Sequence, residues 1–185
     1  TPVDPSDPPA TAQALPIYFA GDGPDGRPRL FREFTRSASD DLLTEAALLV
    51  DGGTPNDPNY RTLWPGGAIA SAEASDGLLV VHLNADAFTE APDGMPRREA
   101  RLAIQQLVHT LQGVQQERVP VQFVRDTGPQ RLFGLDIEKP FKAACPLKVL
   151  NHVNITTPAH GAVVPAGALE VSGVANSFEA NVVCE

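Results

Sequence analysis

The side chains able to do chemistry are few in this chain, and their spacing keeps them apart. His82, His109, His152 and His160 form no HxxxH pair. Cys145 and Cys184 lack the spacing of a zinc site. In an oxidising compartment they form a candidate disulfide, closing a loop of about 40 residues, with two free thiols as the alternative. Cys145 precedes Pro146 with no histidine near it in sequence, so nothing there activates a thiolate. His109 falls with Gln105, Gln112 and Gln116 on the helix face opposite an apolar stripe, which reads as a solvated position. His82 alternates with Val81 and Leu83 and so points off the core face of its strand. Serine-hydrolase elbow, HExxH, P-loop and EF-hand spellings are all absent. These patterns predict no catalytic residue, no cofactor and no metal. Asn154-Ile155-Thr156 spells an N-glycosylation acceptor. The loop carrying Tyr60 and Trp64 is the one candidate ligand loop.

One stretch imitates a nucleotide-binding motif. "GDGPDG", residues 21–26, is G-x-G-x-x-G after a strand. A phosphate cradle needs a helix N-terminus next, whose free N–H groups and dipole hold the anion. Here Pro24 interrupts the loop and the alternating run "RLFREFTRS" follows, so a hairpin turn is expected. Asp22 and Asp25 in that turn are too few for a calcium site.

The elements that must position these residues follow from periodicity. "LPIYFA" (15–20) and residues 29–37 read as strands. Ser39 is the expected N-cap of a helix with the stripe Leu43, Ala46, Ala47 and Val50, ended by Gly52-Gly53. "AIASAEAS" and "LLVVHLN" form a hairpin about Asp76-Gly77, a type I′ signal. Pro96 opens a second helix with the stripe Ala100, Ala103, Ile104, Leu107, Val108 and Leu111, and Gly113 is expected past its end. "VPVQFV" (119–124) is a strand, and residues 126–150 read as irregular. Each stripe is wide enough to cover one sheet face. The expected class is α+β, a single mainly antiparallel sheet with two helices on one face.

Totals narrow the function classes. The chain has 185 residues, 42% hydrophobic, and a formal net charge of −9. That charge argues against nucleic acid, and any acidic patch for a basic partner is not localised by the sequence. No apolar run is long enough to span a bilayer. The missing starting Met suggests a processed or recombinant piece. Residues 1–14, "TPVDPSDPPATAQA", read as a proline-rich linker. From about residue 149 short β-rich runs begin, including "VNITTPAHGAVV" and "ALEVSGVA". They supply about three strands where an immunoglobulin-like sandwich needs about seven, so the native sequence is expected to continue.

"LPIYFA", "LTEAALLVDGGTP", "LLVVHLNADAF", "QQLVHTLQGV" and "VPVQFV", in that order, resemble the GerMN domain of sporulation and spore-germination proteins. Leu107-Val108-His109-Thr110-Leu111 matches that family's helix segment ending in a Thr-Leu pair. Arg125-Asp126-Thr127-Gly128 departs from the family's direct turn after the last strand. The tail, through Ile155, Pro158, Gly161, Val164, Val171–Ala175 and Phe178–Val182, resembles the immunoglobulin-like domain that follows GerMN in such proteins. The expected domains are a linker at 1–14, a GerMN-like α+β domain at 15–148 and the incomplete N-terminal part of an immunoglobulin-like sandwich at 149–185.

The resemblance implies no enzyme activity. It implies an extracytoplasmic scaffold or protein-interaction module of the bacterial cell envelope, a lipoprotein or a secreted protein. Expected partners are envelope or cell-surface proteins, self-association included, with the membrane met only through an N-terminal anchor outside this chain. The competing readings are a binding protein for a small molecule or cell-wall glycan near Trp64, and a hydrolase. A pocket beside Trp64 would favour the binding protein, whereas a hydrolase needs carboxylates or a histidine dyad meeting in a cleft.

Overall fold

Strands β1 (Gln13–Asp22) and β2 (Pro28–Ser37) form an antiparallel hairpin in register from Gln13↔Ser37 to Asp22↔Pro28. This is a computed structural model, and it describes residues 12–158 and 162–175. The glycine-rich stretch is the hairpin turn, closed by Gly23 N–H to Arg27 O at 2.8 Å, with Gly26 at φ +67°. Leu15, Ile17 and Phe19 are buried on alternate positions of β1. Because Gln13 and Ala14 are already paired, the strand starts two residues inside the expected linker.

Helix α1 (Leu42–Val50) is capped by Asp41, not Ser39. The Thr44 N–H donates to Asp41 Oδ1, while Ser39 Oγ accepts from the Asp41 N–H one step earlier. Ala46, Ala47 and Val50 face the core. Strands β3 (Ile69–Ser75) and β4 (Leu78–Leu83) are joined by Asp76 and Gly77, both at positive φ as a type I′ turn requires. Helix α2 (Arg97–Gln115) carries the expected stripe, but Gly113 lies inside it. A Cβ at Gly113 would sit 2.9 Å from Pro16 Cγ, so the glycine permits close packing on β1 instead of ending the helix. The end falls at Gln116, at φ +59°.

Strand β5 (Val121–Val124) pairs with β4 in parallel, because α2 serves as the crossover between them. The α+β class holds, yet the strands divide into β1–β2 and β3–β4–β5, not a single sheet. Both helices contact β1 and each other. β1 meets the rest of the fold through both helices and a bridge from Ala20 to Arg61.

The segment expected to be irregular contributes to the core. Short strands β6 (Arg131–Leu132) and β7 (Leu135–Asp136) pair, burying Leu132, Phe133, Leu135 and Ile137. Arg125 is 5% exposed, and its guanidinium donates to the carbonyls of Ala85, Ala87 and Arg131. The residue that departs from the family pattern thus ties two loops together. A single-turn helix α3 (Pro146–Val149) leads to β8 (Val153–Thr157), which pairs antiparallel with β9 (Ser172–Ala175). Asn151 N–H donates to Leu30 O, and Arg32 N–H to Asn154 Oδ1, fastening this pair to β2. The expected third strand of a sandwich, near Val182, lies outside the described residues.

Candidate functional site

The histidines fare differently from their sequence reading. His109 is 9% exposed, not solvated, and its ring centroid lies 5.7 Å from that of Tyr18. Helix α2 buries Gln106, His109 and Thr110 beside its aliphatic stripe: β1 covers His109 and Thr110, the Tyr18 N–H donating to Thr110 Oγ1, while Gln106 accepts from the Leu63 N–H and donates to Thr62 Oγ1. Burial, and then the charge of Arg118, pushes the His109 pKa down to about 4. Its Nε2 has no hydrogen-bond partner among the described residues. His82 is half-buried on the opposite sheet, 3.4 Å from Glu73. Cys145 is exposed, and its pairing with Cys184 falls outside the described residues. Asp22 turns to Arg61 and Asp25 to Arg29, so the turn carboxylates do not converge. Among the described residues no cluster of three His, Cys, Asp or Glu is placed to hold a metal ion.

The expected ligand loop is split between core and surface. Trp64 is 1% exposed, stands edge-on to Phe133 at 5.0 Å and donates its indole N–H to Ala103 O at 2.8 Å. It is a core residue with its only donor satisfied. Tyr60, half-buried, stacks on Phe31 at 4.6 Å. Asn154 is occupied at the β2–β8 junction, accepting from Arg32 and donating to Asn151 O.

What the sequence does not single out is a basic groove. Arg27 and Arg29 from the hairpin, Arg97, Arg98 and Arg101 from the start of α2, and Lys148 from α3 line a space of about 760 Å³. Its floor is apolar: Leu102, Ile104, Phe141 and Val149. Glu99 is the one carboxylate among the lining residues. Asp25 at the rim reaches Arg29 at 3.4 Å and Arg27 at 3.9 Å, and Arg29 also donates to Leu147 O. Arg97, Arg98, Arg101 and Lys148 have no ion-pair partner among the described residues. The six groove cations are nearly half of the chain's 14, although the whole carries −9.

The groove's wall is built by Gln105. Its amide donates to Lys142 O at 3.1 Å and accepts from Ala144 N–H, holding the stretch before α3 against α2. The Phe141–Val121 bridge anchors the same stretch to β5. The local signal was present in "PRREAR", where three arginines crowd the first turns of a helix whose dipole disfavours cations there. Their partners in the groove come from distant segments, which no local pattern reports.

Residues 16–127 match the family described as Germane, sporulation and spore germination. The fold is similar to the tandem GerMN domains of the sporulation protein GerM from Bacillus subtilis, at a TM-score of 0.54 and 14% identity, covering 81% of this chain and 50% of that one. The chain therefore spans about half the length of that structure. A candidate lipoprotein from Clostridium perfringens matches at a TM-score of 0.42 and 17% identity, over 71% of this chain and 87% of that one. No curated protein matches the chain.

Proposed function

The chain belongs to the Germane family of sporulation and spore germination proteins, and from that membership we propose a non-catalytic, extracytoplasmic interaction module of the bacterial cell envelope. The observation that carries the interaction role is the basic groove, a charged and partly apolar recess on an otherwise acidic chain. The absence of catalysis is supported by the separate environments of the reactive groups. His109 is enclosed against Tyr18, His82 faces Glu73 on the other sheet, and Cys145 is exposed beside α3. No two of them meet as a nucleophile and base would. Trp64 supports the same reading, since aromatic neighbours fill the space a small ligand would need. Placement outside the cytoplasm rests on the family, whose members include a sporulation protein.

The test is in-cell crosslinking of the tagged full-length protein in its native host, followed by fractionation. The protein should be recovered in the envelope fraction, crosslinked to other envelope proteins or to itself. Recovery of intact protein in the cytosol would contradict the placement. A hydrolytic activity abolished by substituting His109 or Cys145 would contradict the non-catalytic role.

A further inference from the structure

We infer that the groove between α2, the β1–β2 turn and α3 receives an acidic segment of a partner protein in which apolar side chains alternate with carboxylates. This rests on the interaction reading above and adds to it the chemistry of the partner. Three observations support it. The first is an unrelieved electrostatic cost. Arg97 and Arg101 stand one turn apart and repel each other, and with Arg98 they occupy the helix end where the dipole also opposes cations. No carboxylate among the described residues pairs with any of the three. An incoming anion relieves both terms.

The second observation is the type of cation. Five of the six are arginines, whose planar forks bind carboxylates through two parallel hydrogen bonds. The third is the floor. Phe141 and Val149 are half-buried in the groove, and Leu102 and Ile104 close it below. A polyphosphate or a lipid headgroup has nothing to cover such a floor, whereas leucine-like side chains between carboxylates do. The cations come from three separate segments and line one space of about 760 Å³, more than a single compact anion fills.

Fluorescence anisotropy on the purified chain tests this with a labelled peptide of repeating Glu-Glu-Leu units. A Gln-Gln-Leu peptide is the neutral control. The acidic peptide should bind and weaken as salt is raised. The double variant Arg98→Glu, Arg101→Glu should lose roughly tenfold or more in affinity. Arg36→Glu, at the far end of β2, should bind like the parent. Circular dichroism establishes that the double variant is folded; if it is not, Lys148→Glu takes its place with the same expectation. Equal binding of both peptides, or binding unchanged by charge reversal, would overturn the inference. So would tight binding of polyphosphate or phosphatidylglycerol vesicles with no binding of the acidic peptide. If crosslinking captures an envelope partner while the peptide fails, the interaction role stands and this partner chemistry alone is lost.

Discussion

Replacing His109 by leucine should remove a defined part of the protein's sensitivity to acid. In the folded chain the imidazole has a pKa of about 4 instead of 6.5, first because burial penalises its charged form and then because Arg118 repels it. The unfolded chain therefore takes up a proton as pH falls below 6.5, and the folded chain does not until pH nears 4. Stability is full above the unfolded pKa, declines through that window and levels off below it. At about 1.4 kcal/mol per pH unit, the gap corresponds to about 3 kcal/mol in full and to about 2 kcal/mol at pH 5. Urea unfolding of the parent and His109→Leu at pH 7.5 and pH 5 measures it. The parent should lose about 2 kcal/mol more than the variant between the two conditions. Whether the leucine itself stabilises or destabilises cancels from that difference. Equal losses in the two proteins would show that His109 is charged or solvated in the folded state, and the reasoning would fail.

Two further substitutions probe the packing. Trp64→Ala removes a fully buried indole between Phe123 and Phe133 and, with it, the hydrogen bond that the indole N–H donates to Ala103 O. It should cost about 3–5 kcal/mol in urea unfolding, whereas a loss under about 1 kcal/mol would mean the side chain is not in the core. Gly113→Ala drives a methyl to 2.9 Å from Pro16 Cγ, so it should destabilise by about 1–3 kcal/mol despite alanine's better helix propensity. A gain in thermal stability would show that α2 does not pack so closely on β1.

Local chemistry was legible in the sequence, and non-local pairing was not. Asp76-Gly77 specified its turn because both residues must accept positive φ, and "GDGPDG" declared a hairpin because no helix follows it. The aliphatic stripe of α2 was readable from its period, but a second covered face bearing Gln106, His109 and Thr110 was not, since polar residues there imitate solvent exposure. The parallel pairing of β5 depends on where α2 delivers the chain, which no strand pattern encodes. The core role of Leu132, Phe133 and Ile137 was hidden because a two-residue strand is too short to show alternation. The groove was the least visible, since its cations converge from residues 27–29, 97–101 and 148 only once the chain is folded.

The amide of Gln105 has a consequence for how the groove can be approached. A carbonyl and the N–H two residues later are the pair that a single residue of a parallel strand would bridge, and on Lys142 and Ala144 a side chain bridges them instead. The stretch gains the order of a sheet edge without presenting those groups to an incoming strand. Backbone-to-backbone addition, which reads little of a partner's sequence, is closed off at this point of the wall. Discrimination there falls to the side chains of the groove, whose charges and apolar floor can distinguish one segment from another.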